Sequence, residues 1–367
     1  MSPYYPSSRP PAWGVAVPPG VAPTRRPSGP PPIVKLLVAL VIVPIGILVL
    51  FAVLNALMGP TDQVPTVDTR PVTTSTTTAS PPATPPPAVP PAGPGGYVND
   101  DYTVPAPDPN PPDLPMPSTW DDIDTYLNSN PLYAQTVPVP VRCDIDQLDL
   151  TKASKSQLKS HFDALTACLM RVWGPTLAGA GFQAVRPTVT IYAGTIQTAC
   201  GKMEDQNALY CAGDQQVYYA SNLPDIIPAK LRGARFVVDS VVAHEFGHAI
   251  QARTGILLSE SYVQQDDSQS GNDAAANDVS RRTEMQADCL AGAFLQAVAQ
   301  STGLSASDEK AVGSLFYSIG DDVLTGDHTI DGDHGWGANR QSWVQAGLTT
   351  ATVGTCNTYT VPAQNVR

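Results

Sequence analysis

The chain has 367 residues, a formal net charge of -12 and 38 prolines. That charge disfavours nucleic-acid backbones and anionic membrane surfaces as principal partners. Most prolines lie in the first third, so the globular part is confined to roughly 250 residues, enough for one well-cored domain.

Residues 1–32 are rich in Pro, Gly, Ser and Tyr and too poor in apolar side chains to fold, which predicts a disordered cytoplasmic tail. From Leu36 to Met58 the chain is almost wholly apolar. A run of about 23 residues crosses ~30 Å of hydrocarbon as a helix, and Pro44 and Gly46 are tolerated inside it. Its length, with no small-residue cleavage site, favours an uncleaved anchor over a signal peptide. A single transmembrane helix is therefore expected over 33–58. Arg9, Arg25, Arg26 and Lys35 precede it and Asp62 follows, which keeps the N-terminus cytoplasmic. The remainder is expected outside the cell or in the periplasm, at the cell membrane. Residues 59–118 are dominated by Pro, Thr, Ala and Ser and read as a semi-rigid stalk. Residues 119–367 are the expected folded domain.

All six cysteines, at 143, 168, 200, 211, 289 and 356, follow the apolar run. Their even number suits an oxidising compartment and up to three disulfides. Periodicity predicts an amphipathic helix over Lys155–Trp173. A strand is expected at Thr188–Tyr192, then a hairpin from Leu209–Cys211 to Gln216–Ala220. Long helices follow at Leu231–Ala252 and Val279–Ala299, shorter ones at Asp308–Ile319 and Asn339–Leu348. Ser261–Asn277 is polar without a period and reads as a mobile loop. The fold class is α+β, with most strands before the main helices.

His244 and His248 are four apart on the first long helix, hence on one face. Two imidazoles so placed can grip one zinc ion. Glu245, rotated to their side, can take a proton from metal-bound water. The opposing reading is a surface helix with solvated histidines. Val241, Val242, Ala243, Phe246 and Ala249 argue instead for burial, where unpaired polar groups are costly. A catalytic zinc takes three protein ligands, and Glu284 on the second long helix is the candidate third. Asp288, four residues on, can accept the free ring N–H of a ligand histidine. His328 and His334, in the loop Gly326–Gly335, compete for the third position. The acids of that loop do not match an EF-hand. His334 can alternatively donate to an oxyanion or be a surface residue. His161 stands alone as a core or solvated histidine.

Four stretches carry a resemblance: Ala199-Cys200-Gly201 with Tyr210-Cys211, Asp214-Gln215 and Val217-Tyr218; Ala243 to Ile250; Glu284 with Gln286 to Gly292; and His334-Gly335, Arg340, Trp343 and Gly347. Together, over about residues 185–348, they resemble the bacterial putative neutral zinc metallopeptidase family. The resemblance implies a zincin-like fold, zinc on His244, His248 and Glu284, Glu245 as base, and a Cys200–Cys211 bond. Cys143 and Cys168 lie outside the match and are a candidate second pair. The expected function is zinc-dependent hydrolysis of a peptide or protein substrate. An extended substrate would pair with the edge of strand Gln216–Ala220. Two rivals are a non-catalytic zinc-stabilised binding or assembly protein and a zinc amidase acting on cell-wall peptide.

Overall fold

A computed structural model describes residues 96–146 and 148–367. The expected tail, membrane helix and most of the stalk lie outside the described residues. Among the described residues no helix is long and apolar enough to cross a membrane.

The last stretch of the expected stalk, 96–118, is fixed to the domain. Val98 pairs with Val141. The carbonyl of Pro112 accepts from Gln215 Nε2 at 2.9 Å and from Arg253 Nη1 at 2.8 Å. Proline cannot donate but keeps its acceptor, so a proline-rich segment is held by the donors of other segments.

Helix α1 (Trp120–Asn128) opens on a capping box from Thr119 to Asp122. Helix α2 (Lys155–Gly179) starts on a second, Ser154 with Gln157, and runs through Pro175, beyond the expected end at Trp173. Proline leaves the Arg171 carbonyl without its helical donor. Asn99 of the N-terminal segment supplies it, donating from Nδ2 at 3.1 Å.

Five short strands follow: β1 (Val189–Tyr192), β2 (Ile196–Thr198), β3 (Gly201–Met203), β4 (Ala208–Cys211) and β5 (Gln216–Ala220). Strands β2 and β3 form a small ribbon, and the main sheet has the order β1-β5-β4. The expected hairpin β4–β5 is present, with Tyr210 opposite Val217. Strand β5 is not an edge, however: β1 pairs with it in parallel, Val189 opposite Val217. The expected docking of a substrate strand on Gln216–Ala220 is therefore excluded. A hairpin is a local pairing, whereas the partner on the other side arrives from a distant segment that periodicity does not report.

Helix α3 (Val237–Arg253) starts later than expected. Phe236, with φ of 64°, breaks the helical path just before it. Fifteen of its 17 residues are buried, so it crosses the core rather than lying on it. It packs against α2, the sheet and helix α5 (Asp273–Thr302). A Cβ on Gly247 would lie 3.0 Å from Ala287 Cα, so glycine permits this close approach. The expected mobile loop 261–277 is instead helical: α4 (Ile256–Gln269) fills most of it and α5 begins at Asp273. Its uniformly polar outer face hid the period, while Ile256, Leu257, Leu258 and Tyr262 anchor its first turns in the core. Helices α6 (Ala306–Ser318), α7 (Asp321–Thr325) and α8 (Gly337–Thr349) close the domain, α8 lying along α5.

All six cysteines pair. Cys200–Cys211 and Cys143–Cys168 have Cα separations of 5.7 and 5.2 Å. Cys289–Cys356, with Cα atoms 5.5 Å apart, ties α5 to the C-terminal segment.

Candidate metal centre

Helices α3 and α5 bring His244, His248 and Glu284 together, one donor atom from each lying within 4.8 Å of the others. The two Nε2 atoms are 3.1 Å apart. The Glu284 oxygens lie 3.3 Å from His244 Nε2 and 3.4 Å from His248 Nε2.

Surrounding bonds set the ring tautomers. Gln251 Nε2 donates to the Thr283 carbonyl at 2.8 Å and to Gln286 Oε1 at 3.1 Å. Its Oε1, 2.8 Å from His248 Nδ1, must therefore accept, which places the ring proton on Nδ1 and a lone pair on Nε2. His244 Nδ1 lies 2.8 Å from Asp288 Oδ1. That contact is close but bent, not a straight hydrogen bond. A carboxylate facing Nδ1 at this distance favours a proton on that nitrogen, which turns Nε2 toward His248 and Glu284 as the metal-facing atom. Asp288 is in turn held by Arg340, whose Nε and Nη2 donate at 2.9 and 2.8 Å to its two oxygens.

Two imidazole lone pairs and a carboxylate thus converge in a buried place, a donor set suited to zinc. The electrostatics agree. Burial opposes a charge on His244, but Asp288 and Glu284 outweigh it and push its pKa up to about 10 in the metal-free protein. Burial raises the Glu284 carboxyl, yet His248 and His244 hold it well below its ordinary range. The cluster calls for a cation at its centre.

Glu245 lies outside the trio. It is buried, and its Oε2 accepts the Tyr210 backbone N–H at 2.7 Å. That amide points away from β5, on the free side of β4.

Of the competing third ligands, His328 is largely exposed and lies 3.5 Å from Asp322, apart from the trio. His334 belongs to a second group with Asp321 and Asp333. Its Nδ1 is 2.8 Å from Asp333 Oδ1, and its backbone N–H donates to Asp321 at 2.9 Å. Burial works against its charge, but Asp321 and Asp333 raise its pKa to about 10. The loop is docked beside Glu284: Arg281, one turn earlier on α5, donates to Asp331 and to the Gly332 carbonyl. His161, the lone histidine, is buried with its Nε2 2.8 Å from Asp239.

Sequence reasoning missed Gln251 and the Tyr210 amide. Gln251 sits three residues past His248, on its face of the helix, and that spacing was the available signal. A backbone amide leaves none. Arg340 appeared only within a resemblance, with nothing to show that it grips Asp288.

Comparison with known proteins points to the same metal. Residues 135–359 match the family described as "Putative neutral zinc metallopeptidase". The Escherichia coli K12 protein "Uncharacterized protein YpfJ" is 31% identical over 194 residues, covering 51% of this chain and 66% of that protein. The Mycobacterium bovis protein Mb2605 and the Mycobacterium tuberculosis protein Rv2575 are 29% identical over 206 residues, with the same shares of 51% and 66%. The chain thus spans 66% of the length of these relatives, just under two thirds. No solved structure matches. The family match covers well over half of the chain and includes both helices of the metal centre, so the chain belongs to the putative neutral zinc metallopeptidase family, with zinc as its cofactor.

Proposed function

We propose that this chain is a membrane-anchored zinc peptidase that cleaves peptide bonds outside the cytoplasm. The observation that carries the reading is the position of Glu245: a buried carboxylate beside the donor trio but not part of it, with one oxygen fixed by the Tyr210 amide. His244, His248 and Glu284 would hold the metal. Zinc, when bound, supplies a Lewis acid that polarises a carbonyl and acidifies water. The second oxygen of Glu245 takes the proton of the attacking water and returns it to the leaving amine. His334, its charge supported by Asp321 and Asp333, stabilises the oxygen that gains negative charge. The apolar run 36–58 supports the anchor, and the three disulfides support an oxidising compartment.

A structural zinc is usually closed by four protein ligands; here, among the described residues, the group holds three. That favours hydrolysis over a purely binding role. The test is zinc-loaded protein assayed on a peptide library that includes cell-wall peptides. Glu245→Gln is expected to keep its zinc and lose about 10²–10⁴-fold in kcat. Undiminished cleavage by the variant removes Glu245 from the chemistry. Bound zinc without cleavage of any peptide favours the binding protein, and cleavage confined to cell-wall peptides favours the amidase.

A further inference from the structure

Glu260 is a buried carboxylate that the chemistry above does not use. It sits on α4 and is 4% exposed. Among the described residues its one hydrogen bond is a long one, from Ser261 Oγ to Oε2 at 3.3 Å, and the single proton of that hydroxyl is shared with the nearer Leu257 carbonyl at 3.0 Å. No lysine, arginine or histidine among the described residues forms an ion pair with it. Among the described residues Oε1 has no hydrogen-bond partner, yet it is not one of the fully buried unpaired atoms and so keeps some accessible surface.

Several other buried charges among the described residues are compensated. Asp288 has Arg340, and Arg281 has Asp331. Arg253 donates to two carbonyls and to Gln215. Glu260 meets the opposite situation, because the charges it feels are those of Glu284 and Asp333, of its own sign. Burial, with these two neighbours, pushes its carboxyl up to about 8. Burying a carboxylate without a cation is unfavourable, and glutamine would fill the same volume at lower cost. Placement makes the feature pointed. Tyr359 lies within the field of Glu260, and its hydroxyl is 2.7 Å from the Oγ1 of Thr283, next to Glu284.

We propose that Glu260 is a recognition residue for a cationic group of the substrate, an ammonium or guanidinium, beside the metal centre. The missing partner of the carboxylate is then brought by the peptide. This rests on the reading that substrate lies against Glu284. A free α-amino group and a lysine or arginine side chain supply the same chemistry.

The test is direct binding in the zinc-loaded full-length Glu245→Gln background, where peptides survive, read by fluorescence anisotropy. Three C-terminally labelled peptides of one sequence are compared: one with a free N-terminus and no other cation, one N-acetylated with a lysine, one N-acetylated and neutral. Adding Glu260→Gln is expected to weaken at least one cationic peptide by about tenfold or more and to leave the neutral peptide unchanged. The peptide affected identifies the source of the cation. Glu260→Asp, which keeps the charge, is expected to fall between the two. Equal affinities with and without Glu260→Gln, a parallel loss for all three peptides, or no binding of the cationic peptides overturns the proposal. Binding does not require cleavage, so a protein that prefers cationic peptides yet hydrolyses none would defeat the peptidase reading and leave this one standing.

Discussion

Two histidine–aspartate pairs in this molecule look alike and differ in consequence. His161 meets Asp239 and His244 meets Asp288, each at 2.8 Å, and both histidines are buried. In the first pair the contact joins α2 to α3 and no further donor converges. In the second, the far nitrogen of the ring faces His248 and Glu284, and the aspartate is itself clamped by Arg340. A buried histidine held by a carboxylate is thus a common structural device. Convergence of a second and third donor on its free nitrogen is what turns it into a metal centre.

The sharpest way to break this comparison is to delete each histidine. His244→Ala is expected to abolish stoichiometric zinc, measured on the purified protein by atomic emission. His161→Ala is expected to keep full zinc while costing about 1–3 kcal/mol, since Asp239 loses its partner. Zinc loss in both variants would dissolve the distinction. Next in size are the aspartates. Asp288→Asn is expected to weaken zinc about 10–100-fold in competition with a chelator, whereas Asp239→Asn should leave affinity unchanged. Gln251→Ala extends the argument to the other ligand ring. Freed of its acceptor, His248 can swap tautomer, so a zinc affinity lowered by about tenfold is expected; wild-type affinity would show that Gln251 sets nothing.

The pH dependence tests the same pair without bound metal. In zinc-free protein the pKa of His244 is raised to about 10, above its ordinary ~6.5. The stability it contributes is therefore complete below pH ~6.5 and lost as pH rises through about 10. The melting temperature of chelated protein should fall over that window, and a flat profile would contradict the assignment. A dependence of the opposite kind is expected at Glu260. Its carboxyl is pushed up to about 8 from an ordinary ~4.3, so the fold opposes its ionisation and loses stability as pH rises between those values. Glu260→Gln should melt higher than the parent at pH 9 and lose that advantage at pH 4. A disadvantage at pH 9 would mean that the carboxylate has a partner after all.

Much of the centre was legible because it is local. His244, Glu245 and His248 depend only on helical spacing, as do Glu284 and Asp288 on α5. Their coming together, by contrast, depends on Gly247 letting α3 approach Ala287 closely. The segment 261–277 reads as a loop in the sequence because its exposed polar side chains mask the few apolar residues that seat the helix. Strand β5 was misplaced because its second neighbour comes from a distant segment. Glu260 was invisible for a similar reason: an ordinary helical glutamate in sequence, it becomes an uncompensated charge only when α4 packs against α5.

The sequence by itself determined the pair of helices that carries the candidate ligands, the class of metal, and an even number of cysteines, all of which pair in the structure. These follow from residue chemistry and from periodicities of a few residues. Tertiary structure alone decided the tautomers of the ligand rings, the amide that holds Glu245, the interior position of β5 and the isolation of Glu260. Each of these is set by atoms far apart in the chain, and burial is what gives such contacts their energetic weight.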